Sequence, residues 1–257
     1  MSELCHKVTK KISVIIIAGN EENNIAECLE SVSWADEIIV VNSGSTDRTV
    51  EIARNYTTRV YVHQWEGYAA QKSYALSLAS NEWVLSIDAD ERVSPELKCE
   101  IENLDIEGAD GYKIPRRNYF LGRVIKSCGW YPDYQLRLFK KSRTRVTNRQ
   151  VHEGFFVDGR VAKLKNDLVH YTHMTITGTL SKINEYSTLQ AAEKAPRKKV
   201  HAYHILVHPA WAFLQHFILR RGFKDGTYGL LVSLIHAMTN MQTYMKIWEM
   251  QNAGKKR

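Results

Sequence analysis

The run Ile12-Ser13-Val14-Ile15-Ile16-Ile17 constrains this chain more than any other. It is almost wholly β-branched and apolar and does not alternate with polar residues, so it reads as a strand covered on both faces. Glu37-Ile38-Ile39-Val40-Val41, Arg59-Val60-Tyr61-Val62 and Trp83-Val84-Leu85-Ser86-Ile87 read as three further strands. Helical spacing fills the gaps. Asn23 or Asn24 can cap a helix with Ile25, Cys28, Leu29 and Val32 on one face, and Thr46 to Arg54 and Tyr68 to Ala79 read as two more. Strands alternating with helices of this length imply an α/β fold with a mostly parallel sheet flanked by helices. In such sheets a ligand lies beyond the carboxyl ends of the strands. The polar clusters fall there: Gly19-Asn20-Glu21, Asn42 to Asp47 and Asp88 to Glu91.

The third cluster carries the chemistry. Asp88-Ala89-Asp90 places two carboxylates, one small residue apart, at the tip of a strand. Such a pair can meet at one hard divalent cation, shared with a substrate's phosphates. Asp-x-Asp also occurs in ordinary surface turns, so the pair gains meaning only from its position. No GxGxxG and no GxxxxGK[ST] is present, which argues against a dinucleotide fingerprint and a phosphate-loop NTPase. A glycosidase would set its two carboxylates on opposite sides of the scissile bond.

The composition, 44% hydrophobic and 25% charged, is that of a folded protein. Four cysteines (Cys5, Cys28, Cys99, Cys128) form no CxxC pair and read as reduced thiols in the cytosol. The first eleven residues lack the apolar core of a secretory signal. No stretch reaches the roughly 18 apolar residues of a spanning helix. Residues 190 to 257 carry eleven basic and three acidic side chains, whereas the rest carries 24 basic and 25 acidic. The formal excess of +7 therefore belongs to the last quarter, which suggests an anionic partner there.

Taken together, three motifs resemble family 2 glycosyltransferases of the GT-A (Rossmann-like) fold. Ser13 to Glu22 is similar to that family's opening strand and loop. Val40-Val41-Asn42-Ser43-Gly44-Ser45-Thr46-Asp47-Arg48-Thr49 is similar to its second signature, usually VDDGSTDxT, and Ile87 to Asp90 to its DxD. Asn42 and Ser43 depart from the usual two aspartates, one of which commonly accepts a hydrogen bond from uracil. Within the family, the chain resembles bacterial enzymes that add glucose in β linkage to the first heptose of the lipopolysaccharide inner core. Tyr131 to Phe139, Val151-His152-Glu153-Gly154, His208-Pro209 and Gly222 to Gly226 carry that likeness. The resemblance implies a GT-A domain over residues 10–180 and a basic, amphipathic helical extension over 181–257. The alternatives are another sugar nucleotide or envelope-glycan acceptor in the same fold, and a non-catalytic nucleotide-sugar-binding module.

The resemblance also implies roles. Mg²⁺ or Mn²⁺ would be held by Asp90, with Asp88 on the ion or the donor's ribose. Asn20, Glu21, Asn42, Ser43, Gly44 and Asp47 would belong to the site of a UDP-sugar donor. Glu21 and Asp47 could instead serve helix starts, and Gly44 could simply permit a turn. Lys72 could approach the donor or stand solvated on its helix. An inverting transfer needs a base for the acceptor hydroxyl; Glu153 is the first candidate and Asp133 the second, and Glu153 could instead be a loop carboxylate paired with Arg137. Arg137 could bind a phosphate of donor or acceptor bidentately, or be a surface strand arginine.

In the basic extension, Leu230, Leu231, Leu234, Ile235, Met238, Met241, Met245 and Trp248 recur at helical spacing. The plain reading packs that stripe on the catalytic domain. The sharper one makes the extension a surface for anionic lipid, with Trp211, Phe213, Phe217 and Ile218 beside Arg220, Arg221 and Lys224. It shows no RNA-binding signature, so nucleic acid is not expected. The expected location is the cytoplasmic face of the bacterial inner membrane, peripherally bound, with a lipopolysaccharide core acceptor; the oligomeric state is open.

Overall fold

The computed structural model describes residues 11–105, 108–147 and 154–253. The strands are β1 (Ile12–Ala18), β2 (Glu37–Asn42), β3 (Val60–Val62), β4 (Trp83–Asp88), β5 (Glu91–Val93), β6 (Gly111–Phe120), β7 (Arg123–Val124), β8 (Asp133–Lys140), β9 (Thr144–Thr147), β10 (Gly154–Val157), β11 (Val161–Lys163) and β12 (Leu168–His173). The helices are α1 (Ile25–Ser31), α2 (Thr49–Ala53), α3 (Tyr68–Leu78), α4 (Pro95–Glu102), α5 (Ile176–Lys194), α6 (Ala202–Leu214) and α7 (Gly226–Asn252). They form two compact units. The first holds the described residues up to 114 together with 134–147 and 154–168, and the second holds 115–133 and 169–253.

The first unit is the alternating α/β sheet that the strand pattern calls for. Its strands run in the order β3-β2-β1-β4-β8-β6. β1 pairs in parallel with both β2 and β4, and β2 with β3. β1 explains why its sequence does not alternate. Ile12, Val14, Ile16 and Ala18 enter one apolar cluster with Ile25, Cys28 and Leu29 of α1 and Leu97 and Ile101 of α4. Ile15 enters another with Ala75 and Leu76 of α3. Both faces are covered, so both sets of side chains leave water, each large one contributing about 1.5–3 kcal/mol.

β8 is the exception to the parallel order. It runs antiparallel to β4, with Trp83 opposite Lys140, Val84 opposite Phe139 and Leu85 opposite Leu138. The helix expected from Thr46 begins only at Thr49. The Asp47 carboxylate accepts hydrogen bonds from the Thr49 amide (3.0 Å) and hydroxyl (2.5 Å), and this turn replaces the first helical residues.

In the second unit, β6 and β7 pair as a tight hairpin, with Tyr119 opposite Val124 and Phe120 opposite Arg123. α5 starts at Thr175, whose hydroxyl accepts from the Gly178 amide at 3.0 Å. α6 continues into a π-helical turn, Gln215–Leu219, and a 3₁₀ turn, Gly222–Asp225, leads into α7. The buried face of α7 is not the apolar stripe that the sequence suggests. It consists of Gly229, Val232, Ser233, Thr243, Tyr244 and Ile247. Leu230, Leu234, Met241, Met245 and Trp248 are exposed instead, and Leu231 and Ile235 are partly buried beside Phe120 and Val232. The reason is a backbone approach too close for a side chain: a Cβ on Gly229 would lie 1.8 Å from the Gly222 carbonyl oxygen. Among the described residues, no helix is long and apolar enough to cross a membrane.

Candidate functional site

All the motif residues of the first three clusters lie in the first unit, at the carboxyl ends of β1, β2 and β4. The loops after β1 and β2 are tied together. The Ser43 amide donates to the Ala18 carbonyl at 2.9 Å and its hydroxyl to the same oxygen at 3.1 Å. The Asn20 amide donates to Ser45 Oγ at 2.8 Å, and Asn20 Oδ1 accepts from the Thr46 amide at 2.8 Å. Asn20 takes a left-handed φ of 56°, a conformation that asparagine tolerates better than most residues. Gly44 stands at φ 87°, so the turn requires glycine for its backbone rather than for space.

Asn42 is 1% exposed. Oriented to satisfy both ends of its amide, it accepts from the Gly44 and Ser45 amides at 3.1 Å each and donates to Ser45 Oγ at 2.5 Å. It closes the turn after β2. Glu21 starts α1: its carbonyl accepts from the Asn24 and Ile25 amides and its carboxylate from Asn24 Nδ2 at 2.7 Å. Asp47 accepts from the Glu22 amide at 3.0 Å as well as from Thr49. Burial works against its charge, but hydrogen bonds from the Thr49 hydroxyl and amide and from Glu22 outweigh it and hold the carboxyl below its ordinary value. Asn20, Glu21 and Asp47 thus form the frame of the two loops.

The third cluster is braced by charge. Arg137, brought alongside β4 by the antiparallel β8, is 4% exposed. Its Nη2 donates to Asp88 Oδ2 at 2.5 Å and to Glu91 Oε1 at 2.6 Å. The reading of Arg137 as a surface strand arginine does not hold, because it is buried. Burial opposes its charge, but the Asp88 and Glu91 carboxylates more than offset that and raise its pKa. Among the described residues, its Nε has no acceptor. Glu91, fully buried, also accepts from the Asp88 amide at 2.9 Å through its other oxygen. Arg92 supports the turn from behind, donating to the Ala89 and Glu91 carbonyls at 3.0 Å each. Lys72 Nζ lies 4.0 Å from Asp88 Oδ1 with its side chain 11% exposed, so it faces the pair rather than solvent. Cys28 lies beneath, and burial pushes its thiol pKa up, so it is an inert core residue.

Asp88 therefore carries two cationic neighbours, while Asp90 is half-buried at the end of the turn. Among the described residues, no three or more His, Cys, Asp or Glu converge as a complete metal site. Oxygen-only donors supplying one or two ligands fit a hard cation that takes its remaining ligands from phosphate and water. Asp133 lies in the second unit, where Arg116 donates to its Oδ2 through Nε at 2.9 Å and Nη2 at 2.5 Å. Glu153 falls outside the described residues.

Sequence reasoning placed Glu91 in this cluster without a role and missed Arg92. Pairing with Arg137 has no local signature.

The comparisons bear on this geometry. Residues 13–158 match the model of glycosyl transferase family 2. An uncharacterized glycosyltransferase of Rickettsia typhi is 34% identical over 94% of this chain and 88% of its own length. The lipopolysaccharide core biosynthesis glycosyltransferase LpsC of Rhizobium meliloti is 30% identical over 93% of this chain and 92% of its own. Among solved structures, S. aureus TarS 1–349 in complex with UDP-GlcNAc covers 95% of this chain and 92% of that chain, at 16% identity and a TM-score of 0.47, a likeness too loose to argue from. With the family model spanning more than half of the sequence and relatives matched along nearly all of it, the chain belongs to glycosyltransferase family 2.

Proposed function

We propose that this chain is an inverting, metal-dependent hexosyltransferase that moves glucose from UDP-glucose to a heptose of the lipopolysaccharide inner core. The observation that carries the reading is the Asp88-Ala89-Asp90 turn. It stands at the tip of β4, beside the loops of β1 and β2, with Arg137 and Lys72 at its back. The likeness to LpsC over 93% of the chain favours a lipopolysaccharide core acceptor. The identity of donor and acceptor rests on the resemblance of residues 131–139, 151–154, 208–209 and 222–226. The alternative is another sugar nucleotide or envelope glycan on the same machinery.

In this reading Asp90 would hold Mg²⁺ or Mn²⁺, with Asp88 on the ion or on the donor's ribose, and the cation would supply positive charge to the leaving diphosphate. Arg137 fixes the Asp88 carboxylate, its single positive charge shared between Asp88 and Glu91. Lys72 adds positive charge on the same side. Ser43, whose hydroxyl donates to Ala18 and keeps its acceptor lone pairs, is a donor-side contact beside Asn42. Glu153 takes the proton from the acceptor hydroxyl. Asp133, already bound twice by Arg116, is the second choice.

The test is UDP release and product formation from UDP-glucose and a heptose-bearing core acceptor, with and without Mg²⁺ or Mn²⁺. Transfer should require the metal and vanish in Asp90→Ala with the fold retained; normal turnover in that variant refutes the metal assignment. Glu153→Gln should keep donor binding and lose turnover steeply, and if Asp133→Asn does so instead, the base assignment passes to Asp133. Transfer from a different sugar nucleotide in preference to UDP-glucose overturns the donor.

A further inference from the structure

The second unit exposes an apolar surface. Residues 201–219 contain no Asp, Glu, Lys or Arg. Within α6 only Pro209 and Ala212 are buried, and in the π turn only His216. The opposite side is strongly exposed: Leu206 73%, Val207 57%, Trp211 55%, Leu214 47%, Ile218 49% and Leu219 63%. At about 100° per residue, the first five of these fall within an arc of roughly 140°, and the stripe from Tyr203 to Ile218 is about 22 Å long. Single exposed hydrophobics are ordinary, whereas an uninterrupted stripe of this kind marks an interaction site.

Charge identifies the partner. Directly after the stripe come Arg220, Arg221 and Lys224, all exposed. The neighbouring acid, Asp225, is occupied by the Lys126 and Ser127 amides at 3.1 and 2.8 Å and the Ser127 hydroxyl at 2.5 Å. The surface is thus an apolar face bearing Trp211 and Tyr203, continued by a cluster of cations. That combination matches a bilayer interface with anionic headgroups. α6 has 13 residues, too few to span a membrane, so it would lie in the plane of the interface.

We infer that α6, its π turn and the following basic turn dock this protein on an anionic lipid surface, with Leu206, Val207 and Trp211 entering the acyl boundary and Arg221 and Lys224 meeting headgroup phosphates. This inference concerns a surface of the second unit and stands whatever donor or acceptor the enzyme uses.

The experiment is flotation of the full chain with vesicles of phosphatidylethanolamine and phosphatidylglycerol, and with vesicles of phosphatidylcholine alone, alongside sedimentation without lipid. Wild type should float with the anionic vesicles and little with the neutral ones. Leu206→Ser with Trp211→Ser, both at exposed positions, should lower partitioning about tenfold or more. Arg221→Gln and Lys224→Gln should each lower it about fivefold on anionic vesicles and leave neutral vesicles unchanged. Failure of wild type to bind, or undiminished binding by the variants, overturns the inference. Self-association that disappears in Leu206→Ser with Trp211→Ser, without lipid binding, also overturns it and makes the stripe an interface between copies. Since UDP release in solution reads the other unit's chemistry, its loss and the loss of lipid binding are separately visible.

Discussion

Replacing Arg137 by methionine should destabilise the first unit by about 3 kcal/mol. The guanidinium makes two charge-assisted hydrogen bonds, at 2.5 Å to Asp88 and 2.6 Å to Glu91. Bonds of this kind contribute about 1.5–3 kcal/mol each, and removing one partner of a buried ion pair costs about 3–5 kcal/mol. The Asp88 side chain is 28% exposed and the Glu91 side chain 0%, so the Asp88 share is partly screened and the sum falls to the lower end. Most of the loss comes from taking the guanidinium away from the fully buried Glu91. Glu91→Gln in the Arg137→Met background should therefore recover a kilocalorie or more, although Glu91→Gln alone should destabilise the wild type. Arg137→Lys should fall between, because an ammonium cannot serve both carboxylates in the geometry of a fork. Lys72→Met, removing a contact at 4.0 Å, should cost less than about 1 kcal/mol. Native-state hydrogen exchange of the β4 and β8 amides together with urea unfolding measures all of these. A cost below about 1 kcal/mol for Arg137→Met, or no recovery in the double variant, would refute the view that this arginine holds the Asp88 turn by charge.

Two further outcomes follow from other parts of the chain. Since the folded Asp47 carboxyl ionises below its ordinary value of 3.8, its contribution to stability is present above that pH and is lost as pH falls through the folded value. Asp47→Asn should thus flatten the acid limb of the stability profile of the first unit, measured by urea midpoints between pH 3 and 6; an unchanged limb contradicts the hydrogen-bond account. Gly229→Ala should destabilise the second unit by about 1–3 kcal/mol or more, since its Cβ would meet the Gly222 backbone oxygen at 1.8 Å. A variant with unaltered thermal unfolding would show that α7 can shift to make room.

The alternation of strands and helices in the first unit was legible because its signals are local. Continuous β-branched runs, short helical repeats and polar residues at strand ends lie within ten residues of one another, and a parallel α/β sheet is the arrangement that buries them all. The start of α2 was less legible, because the Asp47 side chain competes with the helix for the Thr49 amide. The faces of α7 were misread for a related reason. Leucine and methionine at helical spacing indicate an apolar stripe, but which side is buried depends on how closely another backbone approaches, and at Gly229 a glycine with serine and threonine neighbours packs closer than leucine can.

By itself, then, the sequence determined the alternating α/β sheet, the place of Asp88 and Asp90 at the tip of β4, and the family. Only the tertiary structure decided that Arg137 holds Asp88, that Asn42 closes its turn, and that α6 turns its apolar side to water. Arg137 and Asp88 are 49 residues apart and meet because β8 runs antiparallel to β4. Strand pairing of that range is set by the packing of the whole sheet, and no local pattern of residues encodes it.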